Sequence, residues 1–197
     1  MSVPALAAAS MVIIDDRPDL HVLIGLRRPG STFVGGLIVY PGGGVDPQDF
    51  ADGPKLIKNA EAPGLDRDQA AAHLLAALRE TREEVGLELV DNSIDGRDFV
   101  HVGHWVTPED SPRRYDTHFF LARYLSGDPV CDNEELVDVW WERPADALRR
   151  LDLGEIAAIA PTLSFLTSLS RYRNVQEAFA GTKVGKSHRF PWGVTTF

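Results

Sequence analysis

The run Arg79-Glu80-Thr81-Arg82-Glu83-Glu84-Val85-Gly86-Leu87 constrains this chain more than any other stretch. It closes an alanine- and leucine-rich segment that begins at Gln69, with Leu74, Leu75, Leu78 and Val85 spaced for one apolar helix face. On a helix, residues three and four apart are neighbours, so Glu80, Glu83 and Glu84 project from one side. Taken alone, they read most simply as a solvated acidic face with an Arg79–Glu83 pair one turn apart. Their other reading is chemical. Three carboxylates that close repel one another unless a cation sits among them, and hard ions such as Mg²⁺ take oxygen ligands of this kind. Gly86 then ends the helix, since glycine accepts the left-handed conformation of a C-terminal cap.

The second reading gains from Tyr40-Pro41-Gly42-Gly43-Gly44-Val45-Asp46, a hydrophobic strand running into a glycine turn that allows close backbone approach. Together the two stretches resemble the Nudix hydrolase signature, G-x5-E-x7-R-E-U-x-E-E-x-G-U with U aliphatic. The second half matches at every fixed position, and Thr81 in the first U slot is the one departure. The first half matches with Gly43 as leading glycine and Asp49 in the slot usually held by Glu. Gly43 and Arg79 lie 36 positions apart instead of 14, so 22 residues interrupt the motif. Outside it, Val39–Asp46, Arg113–Phe120, Trp141 with Pro144, Ala147-Leu148, and Pro161-Thr162 with Leu166 are similar to one branch. That branch holds the peroxisomal coenzyme A diphosphatases with an interrupted Nudix box.

The resemblance implies an α/β fold, a Nudix-type α/β/α sandwich with a mixed sheet, plus C-terminal helices. It implies Glu80, Glu83 and Glu84 as ligands of Mg²⁺ or Mn²⁺, completed by the Gly43 carbonyl, with Arg79 orienting Glu83. Glu80 is the first candidate for general base. Glu134 or Glu135 falls where some family members keep a further acidic group. Glu135 ranks higher, standing six residues before Trp141, although a solvated loop carboxylate is its simpler reading. Divalent ions there would neutralise a diphosphate and acidify the attacking water, so the implied reaction is hydrolysis of a diphosphate linkage by water attack on phosphorus. Coenzyme A or acyl-CoA is the implied substrate. ADP-ribose, NADH or another nucleotide remains an alternative, as does a ligand-sensing domain without turnover. Sensors of that kind tend to lose helix carboxylates, and here all three are present.

At 197 residues, 44% hydrophobic and 25% charged, the chain suits a single domain spanning 1–197. A net charge of −9 argues against nucleic acid as partner, and no apolar run approaches the ~20 residues that span a bilayer. The expected partner is a small diphosphate substrate; a homodimer is left open. The apolar start, Met1 to Ile14, lacks a positive n-region and is wanted as a strand, so secretion is rejected. The lone Cys131 fits a reducing compartment, and the expected location is the cytoplasm.

Strands are expected at 8–14, 21–26, 37–40, 99–106, 115–124 and 135–141, with a further extended segment at 87–90. Arg27 and Arg28 follow the second strand, and Arg113 and Arg114 precede the fifth. Each pair solvates a strand end or grips substrate phosphate, where the planar guanidinium fork is suited, and these four are the candidate substrate-binding residues. Residues 47–68 read as a polar surface excursion, with room for a short helical turn, that the domain would fold without, and Asp66 or Asp68 caps the next helix. His73 reads as packing; the six histidines look scattered, with no pair at ligand spacing. Trp140 and Trp141 read as packing residues. Helices are expected at 144–151 and 154–180, the latter divided by Pro161. Residues 183–197 form a basic and aromatic tail without a period.

Overall fold

Both faces of strand β1 (Leu6–Asp16) are apolar, which makes it a strand to be buried on both sides. In the computed structural model, which describes residues 3–31, 35–91 and 93–183, Met11 and Ile13 enter one core and Val12 and Ile14 the other. Strand β1 pairs antiparallel with β2 (Leu20–Arg27) and parallel with β8 (Tyr115–Arg123). Strands β3 (Ile38–Val39) and β9 (Leu136–Glu142) join β2, β4 (Gly42–Gly44) joins β1, and β7 (Val100–Val106) joins β8. The product is a mixed seven-stranded sheet.

Helix α2 (Arg67–Val85) covers one face through Ala70, Ala71, Leu74, Ala77 and Val85. The other face is covered by α3 (Pro144–Asp152), α4 (Ala160–Leu169) and α5 (Val175–Lys183), which contribute Ala147, Phe165, Leu166 and Phe179. The architecture is the α/β/α sandwich expected from the sequence. Helix α2 starts where Asp66 accepts the Gln69 N–H at 2.8 Å, while the Gln69 side chain accepts the Asp66 N–H at 3.1 Å. It ends at Gly86, whose φ of +68° is left-handed. No described helix is long and apolar enough to cross a membrane.

The segment 47–68 departs most from expectation. It is no loose excursion but builds α1 (Pro47–Leu56) and a short strand β5 (Ile57–Lys58), parallel to β6 (Ile94–Asp95). Helix α1 lies against α2 so closely that a Cβ on Gly53 would stand 2.7 Å from the Ala72 backbone nitrogen. Ile57, Ala60 and Ala62 are buried in the core beneath α2. Alternating small apolar residues among prolines and charges hid this burial in the sequence. Leu87–Val90 forms no strand, although Leu87 and Leu89 are buried. Pro161 does not divide a helix but sits in the first turn of α4, and the break falls instead before α5. Trp140 and Trp141 both pack against the cores, on opposite faces. Of the tail, residues 184–197 lie outside the described residues.

Candidate active site

Two glycines let the backbone of β4 approach its neighbours closely. A Cβ on Gly42 would lie 2.4 Å from the Ala9 carbonyl oxygen, and one on Gly43 2.5 Å from the Glu80 carboxyl carbon. The Gly42 N–H donates to Glu84 Oε2 at 2.9 Å. Glu84 is only 3% exposed, and its Oε1 is buried with no hydrogen-bond partner among the described residues. Burial pushes the Glu84 carboxyl up to about 8; the Gly42 N–H opposes this, and the negative charges of Glu80 and Glu135 add to it. Burial also raises Glu80, against the pull of Arg79.

Arg79 holds the group together. Its Nη1 donates to Glu80 Oε1 at 2.8 Å and to Glu83 Oε2 at 3.1 Å. Its Nη2 donates to Asp49 Oδ2 at 2.9 Å and to the Gly44 carbonyl at 3.0 Å. Arg79 therefore orients Glu80 as well as Glu83, and it is itself fixed by the buried Asp49 of α1. Glu83 is the outermost of the three, with its side chain 52% exposed. A buried carboxylate oxygen without a partner, beside the half-buried Glu80 carboxylate, is costly in a protein interior. A hard cation with oxygen ligands resolves that cost, so the residues present fit Mg²⁺ or Mn²⁺.

Glu80 and the Gly42–Asp46 turn form part of the wall of a cavity of about 1100 Å³. Tyr40, Trp105 and Phe119 supply apolar wall, and Arg27, Arg113, Glu134 and Glu135 supply charge. Arg27 Nη2 donates to Glu135 Oε2 at 2.7 Å. The other two candidate arginines are placed elsewhere. Arg28 donates to the carbonyls of Asn133 and Glu134, and Arg114 to those of Thr107 and Val3, so both hold backbone and neither is on the described cavity wall.

Three contributors went unread in the sequence. Asp49 was seen only as a motif slot, yet it is the buried anchor of Arg79. Asp132 accepts the N–H groups of Glu134, Glu135 and Leu136 at 3.1–3.2 Å, while its own N–H donates to the Glu84 carbonyl at 3.0 Å. It thereby hangs the Glu135 loop from the end of α2; an acidic residue followed by Asn-Glu-Glu was the available signal, since such residues close turns onto following amides. The histidines are not scattered in space either. His73, His101, His104 and His118 converge, although their sequence spacing does not show it.

A family model described as NUDIX domain matches residues 4–163. A NUDIX hydrolase from Alicyclobacillus acidocaldarius is similar at 28% identity and a TM-score of 0.81, covering 93% of this chain and 99% of that one. The NUDIX domain of Shewanella oneidensis NrtR, complexed with ADP ribose, shares the fold at 16% identity and a TM-score of 0.57, covering 86% and 88%. A C. elegans Ap4A hydrolase binary complex shares it at 19% identity and 0.52, covering 85% and 96%. Among curated proteins none matches.

Proposed function

The chain belongs to the Nudix family and is a hydrolase acting on phosphorus anhydrides, and from that premise we propose that it cuts the diphosphate bridge of coenzyme A or an acyl-CoA. The observation that carries this is the carboxylate set on α2, with Glu80 on the wall of a cavity of about 1100 Å³. Pockets for drug-sized ligands run to roughly 300–1,000 Å³, so this cavity has room for a ligand at or above that size. The choice of coenzyme A rests on the likeness of Val39–Asp46, Arg113–Phe120 and Pro161–Leu166 to the coenzyme A diphosphatase branch.

Glu84 Oε1, Glu83 and Glu80, with the Gly43 carbonyl, would hold Mg²⁺ or Mn²⁺. When bound, the ion neutralises phosphate charge and acidifies the attacking water. Glu80 Oε2, the oxygen that Arg79 does not hold, would accept the proton of the attacking water. The water oxygen bonds to one phosphorus, and the bond from that phosphorus to the bridging oxygen breaks. The products are 3′,5′-ADP and a phosphopantetheine. Arg113 and Arg27 would meet phosphate oxygens, Arg27 by leaving Glu135. Tyr40, Trp105 and Phe119 offer the apolar wall for a base. On this proposal the protein works in the cytoplasm on a small molecule, with neither nucleic acid nor membrane as partner.

A substrate panel with Mg²⁺, resolved by chromatography of products, tests the assignment. Coenzyme A is cut faster than ADP-ribose, NADH and 8-oxo-dGTP; preference for any of the other three would overturn the coenzyme A assignment.

A further inference from the structure

Strand β8 turns Thr117 and Phe119 toward the cavity. Alternation along the strand puts Asp116 and His118 on its other face, the one covered by α2. His118 is 2% exposed and lies opposite His104 of β7 in the antiparallel register. A register shift between His101 and Gly103 brings His101 to the same face, three residues from His104. His73 of α2 closes the group from above, its ring centroid 4.9 Å from that of His118.

One ligand atom from each of His104, Asp116 and His118 lies within 4.8 Å of the others. In tetrahedral coordination two imidazole nitrogens at about 2.0–2.1 Å from one zinc stand about 3.4 Å apart, so closing this set takes up to about 1.4 Å, shared between the groups. The His104 and His118 rings are stacked, with centroids 4.2 Å apart and planes at 14°. His104 Nε2 is hydrogen-bonded directly to Asp116 Oδ1, so capture of an ion replaces that bond and its proton, and turns the half-exposed ring about its broad χ2 torsion until the nitrogen faces His118. Behind them His118 Nδ1 is 2.9 Å from His101 Nε2. A proton shared on that side fixes the His118 tautomer and leaves Nε2 for a ligand, the usual service of an outer partner to a metal-binding histidine.

We propose that His104, Asp116 and His118 form a second metal site, on the far side of β8 from the cavity, for a borderline divalent ion of the Zn²⁺ class. Two imidazoles and a carboxylate suit Zn²⁺ better than Mg²⁺, which prefers oxygen alone. Three protein ligands leave a fourth position for water or an anion.

The test uses the full chain without a histidine tag, stripped by chelator and kept in excess Mg²⁺ so that the carboxylate centre is filled. Calorimetry with Zn²⁺ should find one equivalent that persists in Glu84→Gln. His104→Gln and Asp116→Asn, both at half-exposed positions, should each weaken it by more than the roughly 10- to 100-fold that loss of an outer partner costs. Co²⁺ in place of Zn²⁺ should give visible ligand-field bands in the wild type that His104→Gln removes. In the wild type alone, ring-nitrogen NMR should show Zn²⁺ shifting His104 and His118 and sparing His21. A Zn²⁺ equivalent indifferent to His104→Gln, or rings of His104 and His118 that do not respond, would overturn the site.

Discussion

The Gly42 N–H reaches Glu84 Oε2 at 2.9 Å, while Glu84 Oε1 is buried without a described partner. The glycine turn thus fixes one oxygen of the innermost carboxylate and leaves the other unpaired among the described residues, where the proposed cation would bind. Glycine at 42 is what permits this, since any side chain there would collide with the Ala9 and Ser10 backbone.

Proton release accompanies cation binding. Without metal, burial holds the Glu84 carboxyl at about 8, so it is mostly protonated at neutral pH and must lose that proton to bind an ion. Calorimetry in buffers of different ionisation enthalpy should read close to one proton released per Mn²⁺ near pH 7, falling away above the Glu84 pKa. No pH dependence would contradict the assignment.

The same shift has a stability consequence in the metal-free protein. A carboxyl raised from 4.5 to about 8 on folding adds stability that is full below 4.5 and is lost as pH rises through about 8, at about 1.4 kcal/mol per unit of separation. Glu84→Gln cannot ionise. Metal-free Glu84→Gln should therefore melt above wild type on the alkaline side of 8, and the gap should close on acidification toward 4.5. Thermal melts across that range decide it.

Gly43→Ala is a local probe of Glu80. The new Cβ would stand 2.5 Å from the Glu80 carboxyl carbon, and the flexible end of that side chain gives way. Stability should change little, while turnover falls about 100-fold, the scale of an ångström-sized misplacement. Gly44→Ala, with nothing within 4 Å of its Cβ, should likewise leave stability unchanged.

Asp49→Asn separates positioning from contact with substrate. It removes the charge that holds Arg79, at a cost of about 1–3 kcal/mol for a buried partner left imperfectly satisfied. Because Arg79 steers Glu80 and Glu83, kcat should fall with KM little changed. Steady-state kinetics with denaturant melts read both quantities.

Deletion of residues 51–62 should abolish cooperative melting. It removes Gly53 from its seat on α2 and takes Ile57, Ala60 and Ala62 out of the core. A sharp transition in circular dichroism would contradict that placement.

The carboxylate helix was legible in the sequence because three signals agreed on it: apolar spacing from Leu74 to Val85, a cap at Asp66 or Asp68, of which the structure uses Asp66, and Gly86 at the end. Strand β1 was legible from its apolar run, interrupted only by the small Ser10 before the acidic end. What stayed hidden depended on contacts distant in sequence. Asp49 acts 30 residues from Arg79, and nothing local marks it as buried. Arg28 and Arg114 read as phosphate grips because a guanidinium fits carbonyls and phosphate equally well; only tertiary structure shows which it meets. The histidine cluster was missed because a register shift in β7 places His101 and His104 on one face, against plain alternation.

The most direct test of the central claim is Mn²⁺ binding and turnover measured together on wild type, Glu83→Gln and Glu84→Gln. With excess Zn²⁺-free Mn²⁺ and a diphosphate substrate, both variants should bind Mn²⁺ more weakly and lose turnover by about 10²- to 10³-fold or more, while circular dichroism shows the fold intact. Wild-type turnover and wild-type Mn²⁺ affinity in both variants would contradict the assignment of these carboxylates to the metal.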